Sequence, residues 1–268
     1  MFQRILVPID GSRNSLQAAL YSFAFVKAFE SQVTLLYIIS PDMKDAADKA
    51  GTGNPRVMAN EILDIAKRAL LRKRIPTKDL VLEGPPAPRI CAAAVSERCD
   101  LIIMGSRGIS NIPDFMMGSV SSKVSQFARS SVLVVRNPVP LKGILVAFDG
   151  SRLSQKALDV AGELAIRFKA VINLVTVSHE GEENEGLRLI KGANILEWHL
   201  RMVKAGLDVR MDLRTGHAAE TVVKMAAEQN MNLVVIGGTG HSGIEEMGLG
   251  SVCDQVLRHS GCSVLAVK

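Results

Sequence analysis

Two short groups of residues in this chain are suited to holding an anionic ligand, and each occurs twice. Asp10-Gly11-Ser12 returns as Asp149-Gly150-Ser151. A carboxylate there can accept hydrogen bonds from ligand hydroxyls or amines, although Asp and Ser also commonly cap a following helix. The second group is Gly105-Ser106-Arg107-Gly108, then nine residues, then Gly118-Ser119; its copy is Gly237-Gly238-Thr239-Gly240, nine residues, then Gly250-Ser251. Glycines let the backbone approach a ligand closely and take positive φ, and Gly-Ser at a helix start leaves N–H groups and a hydroxyl available. Such donors, with the helix dipole, favour phosphate without the lysine of a Walker loop. The bland alternative is a long surface loop turned by glycines, with Ser119 and Ser251 as caps. Identical glycine spacing in both copies favours the cradle.

These groups belong to a larger repeat. Ile5-Leu6-Val7-Pro8-Ile9-Asp10 recurs as Ile144-Leu145-Val146-Ala147-Phe148-Asp149, offset by 139, and Asp100–Gly105 recurs as Asn232–Gly237, offset by 132. A period of that length is duplication of a whole domain, with residues 1–137 as the first copy and 138–268 as the second. Asn137-Pro138-Val139-Pro140 reads as a short stiff linker. In the first copy the apolar runs predict strands over Arg4–Ile9, Gln32–Ile39, Leu80–Leu82, Leu101–Met104 and Val132–Arg136. Helices are expected over Ser12–Phe29, Arg56–Arg74, Ala87–Arg98 and Ser119–Arg129. The second copy predicts strands over Gly143–Phe148, Val171–Val177, Val209–Leu213, Leu233–Ile236 and Val264–Val267. Strands apolar on both faces and joined by helices imply a parallel sheet covered on both sides. Each copy is thus an α/β sandwich of five parallel strands, Rossmann-like, whose ligand crevice lies beyond the strands' carboxyl ends.

The Gly-x-x-Gly-x9-Gly-Ser pattern, with Asp closing the first strand and an apolar run closing the domain, resembles the universal stress protein family in its tandem, ATP-binding form. The resemblance spans essentially the whole chain. It implies an adenine nucleotide alpha hydrolase-like fold whose two domains form an intrachain pseudo-dimer through the closing strands Val132–Arg136 and Val264–Val267. It also implies ribose at the first-strand Asp, adenine at the backbone of an apolar residue ending the second strand, and phosphates on the glycine loop. The matching positions are Asp10, Ile38, Gly105, Gly108, Gly118, Ser119 and Val120, and in the second copy Asp149, Val177, Gly237, Gly240, Gly250, Ser251 and Val252. Expected ligands are ATP, ADP or AMP with Mg²⁺ held through the phosphates, in at least the first domain. The expected role is a stress-response sensor or signalling adaptor. With no general base or second positive group evident at the γ-phosphate, hydrolysis should be slow or absent. A weak ATPase or nucleotidyl-transferring enzyme and a nucleotide-free scaffold are the alternatives. Arg107 becomes Thr239 in the second loop, which also carries Glu245-Glu246, so the second site is expected to be weaker or to prefer AMP. Pro8 becomes Ala147.

Composition narrows the other classes. The first 137 residues hold 18 Lys and Arg against 12 Asp and Glu, and the remainder 14 against 15, so the charge is +6 and −1. The basic stretch Lys67–Arg74 alternates with apolar residues at helical spacing, a solvated face rather than a nucleic-acid surface. No apolar run approaches the roughly 18 residues of a membrane span, and a cytoplasmic protein without a removable leader is expected. Cysteines 91, 99, 253 and 262 lack redox or zinc spacing and read as buried thiols. Gly238–Gly243 matches G-x-G-x-x-G but follows the fourth strand of its copy and lacks the later acidic residue of a dinucleotide fold. Residues 41–55 read as a loop near the crevice, Glu180–Glu185 as a solvated acidic segment, and His241 as a solvated loop histidine. The protein partner is unspecified, and association of two-domain chains is compatible with the pattern.

Overall fold

The computed structural model describes residues 1–44, 54–71, 75–109, 116–178, 195–240 and 248–268. Residues 45–53 of the loop expected over 41–55, the acidic segment 180–185, the tail of the basic stretch (72–74), His241 and Glu245-Glu246 lie outside them. The chain divides into two compact units, Met1–Pro138 and Val139–Lys268.

In the first unit the strands are β1 (Arg4–Pro8), β2 (Gln32–Ile39), β3 (Thr77–Glu83), β4 (Leu101–Gly105) and β5 (Ser131–Val135), with helices α1 (Arg13–Phe29), α2 (Pro55–Leu71), α3 (Pro86–Ser96) and α4 (Ser119–Phe127). The strand order is β3-β2-β1-β4-β5, every pairing parallel. In the second unit β6 (Gly143–Ala147), β7 (Val171–Ser178), β8 (Val209–Thr215), β9 (Leu233–Gly237) and β10 (Ser263–Val267) alternate with α5 (Arg152–Phe168), α6 (Ile195–Lys204), α7 (Ala218–Glu228) and α8 (Ser251–His259). Their order is β8-β7-β6-β9-β10, again all parallel. Each unit is therefore the expected five-stranded doubly wound sheet. Its strand order reverses between the first and fourth strands, which opens a crevice at their carboxyl ends.

Strands β4, β5, β9 and β10 have no exposed residue, because Val, Ile and Leu occupy both of their faces. Strands β3 and β8, at the other end of each order, carry exposed residues. β3 runs over Thr77–Glu83 rather than the expected Leu80–Leu82, because Lys78 and Asp79 lie on exposed positions of an edge strand and hide its length. Both are ion-paired, Lys78 to Glu97 at 2.6 Å and Asp79 to Lys67 at 2.5 Å.

A side chain fixes the register between first and fourth strands. Asp100 accepts from the backbone N–H groups of Gln3 at 2.9 Å and Arg4 at 3.1 Å. Asn232 does the same with one oxygen, from Lys142 at 2.9 Å and Gly143 at 3.0 Å. This clamp aligns β1 with β4 and β6 with β9, so that both strands of each pair end at the same crevice.

Candidate functional site

After β1 the chain turns sharply. Asp10 Oδ1 accepts from Ser12 N at 2.9 Å, Gly11 takes φ +86°, and Ser12 Oγ accepts from Ser15 N at 3.1 Å to cap α1. The second unit repeats this with Ser151 N to Asp149 Oδ1 at 3.0 Å, Gly150 at φ +83°, and Ser154 N to Ser151 Oγ at 3.2 Å. Serine is thus the cap and aspartate the turn. One carboxylate oxygen is held by the backbone, and the other meets the glycine loop. A Cβ on Gly108 would lie 2.5 Å from Asp10 Oδ2, and one on Gly240 would lie 2.6 Å from Asp149 Oδ2.

The loop itself is hung from the sheet. Ser106 N donates to Val135 O at 3.3 Å and Gly118 N to Ser106 O at 2.8 Å; in the second unit Gly238 N donates to Val267 O at 2.8 Å and Gly250 N to Gly238 O at 2.7 Å. The carbonyl before the excursion is therefore bonded to the amide after it, and the helix that follows starts at a fixed point. Gly118 and Gly250 cap α4 and α8 with extended backbone and no side-chain acceptor. The first-turn amides of Ser119, Val120, Ser251 and Val252 consequently receive nothing from the cap residue, the arrangement that suits an anion. Gly105 and Gly237 do something different. A Cβ there would fall 2.8 Å from the backbone of Asn14 and 2.9 Å from that of Leu153, so these glycines admit the N-terminus of α1 or α5 against the fourth strand.

In the second unit these features line one cleft of about 370 Å³. All seven anticipated residues of that copy, Asp149, Val177, Gly237, Gly240, Gly250, Ser251 and Val252, lie on its wall. Sequence reasoning missed Ala147, Val175, Ala218, Val222 and Cys253, which also line it. The signal was present in part, since Val175 stands two residues before Val177 on the same face of β7. Burial pushes the Cys253 thiol up to about 12. Its counterpart Ser121 instead donates to Ser106 O at 2.8 Å. In the first unit, Asp10, Gly105, Gly108, Gly118, Ser119 and Val120 occupy equivalent places, and Ile38, paired with Leu82, sits half-buried near the end of β2. Tyr37 beside it has its phenol held above the ordinary value by burial and then by the Asp10 carboxylate. Among the described residues no three His, Cys, Asp or Glu side chains gather as a metal site, and no helix is long and apolar enough to cross a membrane.

A duplicated, doubly wound α/β unit with a glycine loop and a glycine-capped helix at its switch point defines the class of protein. The universal stress protein family model matches residues 1–136 and again 140–268. The chain belongs to the universal stress protein family, as a tandem member. A universal stress protein of Synechocystis is 22% identical over 293 residues, covering 99% of this chain and 100% of its own. One from Methanocaldococcus jannaschii is 28% identical over 145 residues, spanning 52% of this chain and 84% of its own. The crystal structure of a universal stress protein from Archaeoglobus fulgidus superposes with a TM-score of 0.78 at 23% identity, covering 100% of this chain and 99% of that one.

Proposed function

We propose that each unit binds an adenine nucleotide and that the chain acts as a nucleotide-dependent sensor or signalling adaptor of a stress response. The observation that carries this reading is the shared wall of the second-unit cleft: the Asp149 carboxylate, the glycine loop and the side-chain-free cap of α8 all face one 370 Å³ space. That volume lies within the range of small-molecule sites. Its apolar wall suits a base, Asp149 offers an acceptor to ribose hydroxyls, and the α8 amides offer donors to phosphate. The cradle fits the ligand because a Cβ on Gly240 would strike the carboxylate that holds the sugar. Any Mg²⁺ would be held through the phosphates, which it would partly neutralise, rather than by a carboxylate cage.

The test is to heat-denature freshly purified protein and quantify the released small molecules by chromatography with mass detection, with thermal melting in added ATP, ADP and AMP as the companion measurement. About two adenine nucleotides per chain, or a stoichiometry of two on titration, is expected. A chain that releases none and whose melting temperature ignores all three nucleotides would be a nucleotide-free scaffold. Turnover of ATP above contaminant level that disappears in Gly118→Ala would instead make it an enzyme.

A further inference from the structure

The wall of the second-unit cleft differs from the equivalent residues of the first unit, and on the first two strands and α7 the differences remove bulk. Register equates each position of the second unit with one of the first. Pro8 pairs with Leu36 as Ala147 pairs with Val175, and Ile38 pairs with Leu82 as Val177 pairs with Arg214. The helices that follow Gly84 and Gly216 begin with Pro86 and Ala218, and one turn later stand Ile90 and Val222. At five wall positions on the first two strands and α7 the second unit carries the smaller side chain: Ala147 for Pro8, Val175 for Leu36, Val177 for Ile38, Ala218 for Pro86 and Val222 for Ile90. Two wall residues are larger, Phe148 for Ile9 and Cys253 for Ser121, and both are almost wholly buried, at 3% and 2% exposure.

The trimmed positions are not spread evenly. They sit on the first two strands and on α7, whereas the phosphate end keeps Gly237, Gly240, Gly250 and Ser251 in place of Gly105, Gly108, Gly118 and Ser119. At that shared end Thr239, on the wall of the second-unit cleft, stands where the first loop carries the cation Arg107. One wall has therefore lost bulk where a base would lie, and lost charge where phosphates would lie.

From this we propose that the clefts select differently: the second accepts a purine nucleotide whose base is wider than adenine and discriminates little by phosphate number, while the first admits only the unmodified base and favours more phosphates. This rests on the nucleotide reading above. A single methylene in an apolar pocket changes selection about 10- to 200-fold, and five positions are trimmed by one or two carbons each.

The probe is 1,N6-ethenoadenosine monophosphate, whose base carries an extra fused ring, titrated by fluorescence against the full chain, with AMP and ATP titrated by calorimetry alongside. Unmodified AMP is expected at two sites per chain and the etheno nucleotide at one. Narrowing the second cleft with Ala218→Pro and Val222→Ile should weaken the etheno nucleotide at least 10-fold while AMP still binds. Proline at that position suits the first residue of a helix, as Pro86 does in the first unit. Widening the first cleft with Ile38→Val and Ile90→Val should raise the etheno stoichiometry to two, a gain that misfolding cannot produce. Etheno binding at two sites of the parent chain, or at none while AMP binds, overturns the proposal and leaves the nucleotide reading intact. Failure of AMP and ATP themselves to bind overturns both.

Discussion

Gly105, Gly108, Gly237 and Gly240 are each held to glycine by a different neighbour, which makes single substitutions informative. Gly240→Ala would drive a methyl into Asp149 Oδ2, 2.6 Å away, and should lower nucleotide affinity in the second unit at least 10-fold while leaving the first untouched. Calorimetry would then read about one site per chain. Gly261→Ala, where nothing lies within 4 Å of the new Cβ, should change stability by no more than about 0.5 kcal/mol and binding not at all. The cleft thiol gives a second test. Burial holds Cys253 protonated up to about 12 against an ordinary value near 9, so the folded chain keeps a proton that the unfolded chain releases between those values. The corresponding stability is whole below pH 9 and is lost as pH rises toward 12. Urea midpoints measured from pH 8 to pH 11 should therefore fall less steeply in Cys253→Ser than in the parent, and equal slopes would show that the thiol is not the titrating group. The glycine spacing and the aspartates were legible in the sequence because they depart from core composition. Val175, Ala218, Val222 and Cys253 were not, because an apolar residue facing a cleft and one facing the core look alike in a linear chain.

Helices and strands place these residues through a few local devices. The Ser12 and Ser151 caps start α1 and α5 immediately behind the aspartates, so removing either cap frays the turn that orients a carboxylate. Ser12→Ala and Ser151→Ala should each cost about 1 kcal/mol, read as a lower urea midpoint, and should weaken nucleotide binding in their own unit only. A loss shared equally by both units would mean that the caps act through global stability. Most elements were legible from apolar runs bounded by Gly, Pro or Asp, since both faces of β4, β5, β9 and β10 are buried. Edge strand β3 was under-read because its pairing is by backbone and its side chains are charged. The role of Gly105 and Gly237 in admitting a helix end was likewise invisible, because it depends on residues about ninety positions away.

At the scale of the molecule, every residue lining the second cleft lies between Ala147 and Cys253, inside the unit Val139–Lys268. A fragment of residues 139–268 should accordingly bind AMP within about threefold of the full chain by calorimetry, since none of the described wall comes from elsewhere. Loss of binding in a fragment that still unfolds cooperatively would show that the first unit completes the site. The self-contained walls also bear on inheritance. Where a protein is assembled from identical chains, a base change in the gene alters every pocket together and variation is confined to what all copies tolerate. Here two stretches of one reading frame encode two candidate sites, so one can keep an ancestral preference while the other drifts toward a new metabolite, and a single polypeptide can come to weigh one cellular signal against another.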